Sequence, residues 1–162
     1  MSGYAQYVGG RVKDWSRALV FGARPVVASW VIRPSAYGLI LMEGARMAVV
    51  RTSRGVYLPG GGVEGVEMPE EAIKREALEE CGLVVEVGVW ETYCIQFVYS
   101  QAEDTHFEKR STFIECSPVQ INSTLTEADH ELVWMRLDEA ARLLTPESHC
   151  WAVDQWRSRE TH

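Results

Sequence analysis

The chain has 162 residues, enough for one domain with a substantial core and too few to expect two. Its 46% hydrophobic and 24% charged residues are ordinary for a globular protein. A formal net charge of −7 and a pI near 5.1 argue against broad electrostatic binding to a nucleic acid polymer or an anionic membrane. They leave room for a small anionic substrate, provided a bound cation supplies local positive charge.

Residues 1 to 24 are mixed, dotted with glycine and without a clear period, and read as an N-terminal extension to a single domain over 25–162. They carry no apolar core or cleavage pattern of a signal peptide, and no apolar run in the chain approaches the roughly twenty residues of a membrane helix. "VVASWVI", 26–32, is a β-branched and aromatic run that predicts a strand ending at Pro34. "AYGLILMEGARMAVVRT" predicts two strands around a turn at Glu43-Gly44, and "RGVYLP" a short strand leading into a loop of consecutive glycines, Gly60 to Gly62.

The period then changes. Pro69 suits a first helical position, Glu70 and Glu71 suit the first turn, and Gly82 suits the residue just past a helix ending at Cys81. "LVVEVGVWETYCIQFVYS" and "RSTFIECSPV" predict strands separated by a polar loop over 101–109. "HELVWMRL" predicts another strand, a short helix begins near Asp138, and Cys150, Val153 and Trp156 fall one turn apart on a last amphipathic helix. This order predicts a mixed α/β fold. Cys81, Cys94, Cys116 and Cys150 form no C-x-x-C pair, so zinc has no support; they predict reduced, mostly buried thiols in a cytoplasmic protein.

The chemistry concentrates in "LPGGGVEGVEMPEEAIKREALEECGL", 58–83. On a helix, Glu76, Glu79 and Glu80 fall within about a third of the circumference, while Ile73, Ala77 and Cys81 occupy the neighbouring face and can pack on a sheet. Like charges at this spacing destabilise a bare helix by a few tenths of a kcal/mol per pair, roughly. Gathered hard oxygen ligands of this kind suit Mg²⁺, or alternatively Mn²⁺. Glycines at 60–62 let the backbone approach a ligand, with amides for phosphate oxygens and carbonyls for a cation. A loop that tracks phosphate followed by a helix that holds metal is an arrangement for phosphoryl chemistry.

These residues also carry a resemblance. The Nudix hydrolases share the pattern G-x5-E-x7-R-E-U-x-E-E-x-G-U, with U a bulky apolar residue. Gly61, Glu67, Arg75, Glu76, Ala77, Glu79, Glu80, Gly82 and Leu83 stand at those spacings, and Ala77 alone is smaller than usual. The flanks "VYLPGGGVE" and "VWMRLDEAARLL" are similar to family members too, so the resemblance spans roughly residues 34 to 145. Family members commonly have glycine directly before the glutamate that stands here as Glu67; here Gly65 is followed by Val66, implying a turn shifted by one residue.

The resemblance implies an α/β/α sandwich with a mixed central sheet. It implies a divalent-metal-dependent hydrolase that cleaves the diphosphate bond of a nucleoside diphosphate linked to another moiety. Nucleoside triphosphates, dinucleoside polyphosphates and nucleotide sugars are the candidate classes. It implies metal contacts from Glu79, Glu80, Glu76 and the carbonyl of Gly60, with Glu76 a ligand or a general base. Arg75 would pair with Glu67 to hold the loop on the helix, and Glu64 would support it or be a plain loop charge. Family members often draw a further carboxylate from a late loop: Glu103, Asp104, Glu127, Asp129 and Glu131 are candidates, with Glu127 preferred. Gly61, Gly62, Tyr57 and Tyr99 are the candidate substrate contacts, Tyr99 standing near a tyrosine of some dinucleoside polyphosphate hydrolases. His106 and His130 are weaker candidates, and selectivity is expected around Trp30, Tyr57, Phe97, Tyr99 and 101–109. A homodimer is left open. The alternative function is a nucleotide-sensing or scaffold protein that keeps the fold without hydrolysis.

Overall fold

The computed structural model of the chain describes residues 7–8, 11–43, 45–122 and 127–159. Two short strands, β1 (Tyr7–Val8) and β2 (Arg11–Val12), form a small antiparallel ladder. A single 3-10 turn over Trp15–Arg17 leads to β3 (Val20–Phe21). The main strands are β4 (Val31–Met42), β5 (Arg46–Thr52), β6 (Gly55–Tyr57), β7 (Gly60–Gly62), β8 (Leu83–Ser100), β9 (Thr105–Ile121) and β10 (Glu131–Arg136). The helices are α1 (Pro69–Cys81), α2 (Leu137–Leu143) and α3 (Glu147–Ser158). Among the described residues the large sheet runs β10-β5-β4-β9-β8-β3, with β6 beside β5 and β7 beside β4. It is mixed: β4 runs parallel to β9 and β3 to β8, while the other pairs are antiparallel.

Strand alternation sorts the central residues into two cores. Ala36 and Ile40 of β4 point to one face, where Ala72, Ile73, Ala77 and Cys81 of α1 cover them. Tyr37 and Leu39 point to the other, against Phe113, Ala152 and Val153, with α2 and α3 above. The helix face read from the sequence is thus the buried one. Its closeness to the sheet explains the small residue at Ala77 and the glycine at 38, where an added Cβ would stand 3.0 Å from the Ile73 Cγ2. The α1 ends follow their sequence signals. Glu71 Oε2 accepts the Met68 N–H at 3.2 Å, and Gly82, at φ 64°, donates to the Leu78 carbonyl at 3.0 Å.

Three expectations are corrected. The strand predicted over 26–32 begins only at Val31 and passes through Pro34 instead of ending there. The Pro34 carbonyl accepts the Val63 N–H at 3.0 Å, so the missing proline N–H falls at the last rung of the β4–β7 ladder, where its loss costs least. The glycine loop is itself a strand, Gly62 to Gly60 pairing with Ser35 to Tyr37. The polar loop predicted over 101–109 shrinks to 101–104, because the tight turn with Asp104 at φ 45° lets β9 begin at Thr105. Gly44 of the predicted β4–β5 turn lies outside the described residues, with Ala45 beside it at φ 60°.

The segment before residue 25 joins the sheet. Val20 and Phe21 pair with Ile95 and Gln96, and the Trp15 ring meets Tyr93 edge-on with centroids 5.1 Å apart. No described helix is long and apolar enough to cross a membrane. The described thiols are free; burial pushes Cys81, Cys94 and Cys116 up to about 12, away from reactive thiolate.

The contact between β4 and α1 yields a test. Gly38→Ala should destabilise the protein by about 1–3 kcal/mol through overpacking. In an Ile73→Ala background, which removes the methyl the new Cβ would meet, the added cost should shrink. A double-mutant cycle by urea denaturation measures this; strict additivity would mean that α1 tolerates the extra methyl without yielding.

Candidate active site

The site forms where the β7 edge meets the exposed side of α1. Arg75, one turn and a half into the helix, is its hub. Its Nε and Nη2 donate to the two carboxylate oxygens of Glu67 at 2.9 and 3.0 Å, a bidentate pair. Its Nη1 donates to Glu76 at 2.9 Å and to Glu79 at 3.4 Å, and stands 3.8 Å from Glu64. Its Nη2 also reaches the Gly62 carbonyl at 3.1 Å. One guanidinium therefore ties the loop, the strand and the helix together. Glu67 first, then Glu76, holds Arg75 protonated well above its ordinary range, and the same bond keeps the Glu67 carboxyl below the usual range.

The shifted turn is resolved in the same place. The Glu67 N–H donates to the Glu64 carbonyl at 2.9 Å, and the Glu64 N–H to Glu67 Oε1 at 3.1 Å. Gly65, the second residue of this turn, takes the positive φ of 52°. Val66 is not among the positive-φ residues and points fully into solvent. Glycine at 65 supplies the positive φ that this turn takes, and the glutamates on either side remain hydrogen-bonded.

Glu80 has a different environment. It is 9% exposed, and its Oε1 accepts the Gly60 N–H at 2.8 Å. No cation is paired with it among the described residues. Burial first, then the nearby Glu76, Glu127 and Glu79 charges, push its carboxyl up to about 8, against the lowering effect of the Gly60 N–H. Glu76 is pushed up as well, again mainly by burial. Gly61 lies directly over Glu76, since a Cβ there would stand 2.9 Å from its Oε1; a Cβ on Gly60 would collide with the Ala36 and Tyr37 backbone. Glycine is required at 60 by this close approach to backbone, whereas a side chain at 61 would displace the Glu76 carboxylate.

Glu127 joins the cluster. Its backbone N–H donates to the Glu79 carbonyl at 3.0 Å, and its carboxylate, 2.8 Å from His130 Nδ1, is close enough to act on both Glu76 and Glu80. The other late carboxylates are engaged elsewhere. Glu103 meets Arg33, Asp104 accepts from the Tyr99 hydroxyl, Asp129 accepts from Ser53, and Glu131 pairs with Arg51.

The acidic side chains of the helix do not stand as one ready-made set. Among the described residues no three His, Cys, Asp or Glu groups are arranged as a metal cage. Glu76 and Glu79 turn to Arg75, and Glu80 turns to Gly60, because each finds there the positive partner that like charges otherwise lack. The donor set still fits a hard divalent cation: buried carboxylate oxygens, one without a cationic partner, beside a glycine strand.

A cavity of about 380 Å³ opens on the opposite face of β4 and was not read from the sequence. Tyr37, Tyr57, Lys109, Ser111, Glu147 and His149 line it. Lys109 Nζ donates to the Tyr37 hydroxyl at 2.6 Å, and His149 Nδ1 accepts the Leu58 N–H at 3.1 Å. Burial holds the His149 ring neutral, its pKa well below the usual range. Since Nδ1 is an acceptor, Nε2 carries the proton. Of the two tyrosines read as candidate substrate contacts, Tyr57 lines this cavity and Tyr99 does not. On β8 the cavity takes Gln96 and Val98, whereas Tyr99, one position out of phase and 49% exposed, meets His106 at a tilt, with ring centroids 4.8 Å apart. Trp30 and Phe97 likewise pack on each other away from this cavity.

Comparison with known proteins identifies the family and agrees with the fold. The NUDIX domain family model matches residues 23–152. Among solved structures, the chain is similar to a MutT protein from Methanosarcina mazei, with 22% identity and a TM-score of 0.58 over 83% of this chain and 99% of that one. It is similar to a MutT Nudix hydrolase from Burkholderia pseudomallei, with 27% identity and a TM-score of 0.52 over 76% and 97%. It is also similar to an ADP-ribose pyrophosphatase from Streptococcus suis, with 17% identity and a TM-score of 0.56 over 80% and 94%. No curated protein matches the sequence significantly. The chain belongs to the Nudix family, whose members are hydrolases acting on phosphorus-containing anhydrides.

The environment of Glu80 makes stability depend on pH. A carboxyl whose folded pKa is raised binds a proton that the unfolded chain releases, so its contribution is full below the unfolded value of about 4.5 and is lost as pH rises through about 8. In EDTA, the thermal midpoint should fall across that window, and Glu80→Gln should flatten the fall. An equally steep pH profile in the variant would show that Glu80 is not the group responsible.

Proposed function

We propose that the protein is a divalent-metal-dependent pyrophosphohydrolase acting on a nucleoside diphosphate linked to another group, releasing a nucleoside monophosphate and a phosphorylated remainder. The observation that carries this reading is Glu80: a buried carboxylate on a Gly60 amide, next to Glu76 and Glu127, with no cation of its own. Glu76, Glu79, Glu80, Glu127 and the Gly60 carbonyl would hold Mg²⁺, or Mn²⁺ in its place. The bound ion supplies charge neutralisation of the diphosphate and a water of lowered pKa.

The chain's own groups do the positioning. Gly61 and Gly62, without side chains, let diphosphate oxygens lie close to the β7 edge, and any Cβ at Gly61 would press on Glu76. Glu76, lifted by burial and next to the Gly61 approach, is the group placed to accept a proton from the attacking water. Arg75 holds Glu67 and Glu76 in fixed orientation, so those carboxylates need not reorganise during the reaction.

The nucleoside portion is assigned to the cavity beyond Tyr37. Gly60 and Tyr37 are register partners, so that cavity is one strand away from the diphosphate position. Tyr37 and Tyr57 offer aromatic surface, Lys109 a charge, and the protonated His149 Nε2 a donor. This favours a nucleotide over an extended non-aromatic anhydride. Nucleoside triphosphates, dinucleoside polyphosphates and nucleotide sugars share the cleaved group; ADP-ribose and UDP-linked compounds, named for two structural neighbours, belong in the same panel.

A panel of these compounds with Mg²⁺, followed by product identity, tests the reading. With the best substrate, Glu80→Gln should lower kcat by at least about a thousand-fold while the folded state persists. Near-normal Mg²⁺-dependent turnover by a folded Glu80→Gln protein would remove its basis. Tight nucleotide binding by the wild type with no product over hours would favour the non-hydrolytic alternative.

A further inference from the structure

A second cavity, of about 180 Å³, lies on the α1 side of the sheet. Lys13, Trp15, Arg110 and Thr112 line it, and the turn at Val66 and Glu67 closes it. Glu76, Glu79 and Glu80 do not reach it. Arg110 and Thr112 stand two positions apart on β9 and so share a face. Tyr93, the register partner of Thr112, holds Trp15 by edge contact and its hydroxyl accepts the Asp14 N–H at 3.2 Å. The wall contributed by the N-terminal segment is therefore fixed to the sheet.

The polar groups in this cavity are unbalanced in one direction. Lys13 is 3% exposed, yet its Nζ has no hydrogen-bond partner; the nearest carboxylate, Glu91, is 3.8 Å away. The Trp15 Nε1–H is also buried without an acceptor. Arg110 gives only its Nε to Glu108, at 2.7 Å. The one carboxylate in the wall, Glu67, is bound bidentately by Arg75. The Ser35 hydroxyl, also in the wall and also unpartnered, can donate or accept, so free donors outnumber free acceptors, although buried donors rarely go unmatched.

We propose that this cavity binds a phosphate-class oxyanion, to which Lys13 Nζ and Trp15 Nε1–H donate and which the Arg110 guanidinium faces. A dianion with acceptors in several directions matches two cations and an indole donor set on separate elements. The proposal is independent of the hydrolase reading, and its failure would leave that reading intact.

The test titrates inorganic phosphate into ¹⁵N-labelled full-length protein, at constant ionic strength balanced with chloride and without divalent cation. The Trp15 indole N–H resonance, identified by its loss in Trp15→Phe, should shift saturably, and the thermal midpoint should rise with phosphate. Lys13→Met should weaken binding by at least about ten-fold, and Trp15→Phe by several-fold. Adenosine monophosphate forms a second arm: equal affinity assigns the free anion and tighter binding a phosphomonoester, and either supports the site. A Trp15 resonance that does not move, or unchanged phosphate affinity in a folded Lys13→Met, overturns it. If Lys13→Met does not fold, the wild-type resonance and the Trp15→Phe affinity decide.

Discussion

The active-site region depends on a single guanidinium. Arg75 lies within hydrogen-bonding reach of Glu67, Glu76, Glu79 and the Gly62 carbonyl, groups that belong to a turn, a helix and a strand. Without it, carboxylates at 67, 76 and 79 would meet across a short distance with only solvent to screen them. With it, their repulsion becomes attraction to a shared centre. A lysine cannot do the same, since a point charge lacks the fork that engages both oxygens of Glu67 while reaching Glu76. The planar geometry of arginine is what joins the β7 edge to α1.

Around that clamp the remaining acidity is distributed by burial. Glu79 is half-exposed and loosely held, whereas Glu80 is buried on a backbone amide and carries most of the electrostatic cost. A helix that presents glutamates at 76, 79 and 80 would be a poor helix by itself, but its other face is fixed to the sheet by Ile73, Ala77 and Cys81. Packing on one side thus holds in place an arrangement that is unfavourable on the other. Burial and the neighbouring carboxylates disfavour the charged form of Glu80, and a divalent cation would relieve that cost.

The sequence was most informative where function and local geometry coincide. The spacing of Glu76, Glu79 and Glu80, the proline at 69 and the glycine at 82 each act within a turn or two, so α1 was legible to its ends. Arg75 with Glu67 was legible for the same reason, being eight residues apart across one loop. Glu127 was preferred on resemblance alone, and its place beside Glu79 follows from chain pairing that no local pattern encodes. The cavity of Tyr37, Lys109 and His149 was not legible, because its walls come from β4, β9 and α3, separated by 72 and 112 positions in the chain. The face that Tyr99 occupies was not legible either, since one step of strand phase decides it and a run such as "CIQFVY" does not reveal that phase. The covering of the sheet by Lys13 and Trp15 was hidden likewise, since a segment without periodicity gives no sign of what it packs against.

On the proposed function, the clamp and the buried Glu80 together form a divalent-cation site. The most direct measurement is Mn²⁺ binding followed by electron paramagnetic resonance at neutral pH, in wild type and in Glu80→Gln. The wild type should bind Mn²⁺ saturably and the variant should lose much of that affinity, with the fold retained by circular dichroism. Equal Mn²⁺ affinity in the two proteins would contradict it.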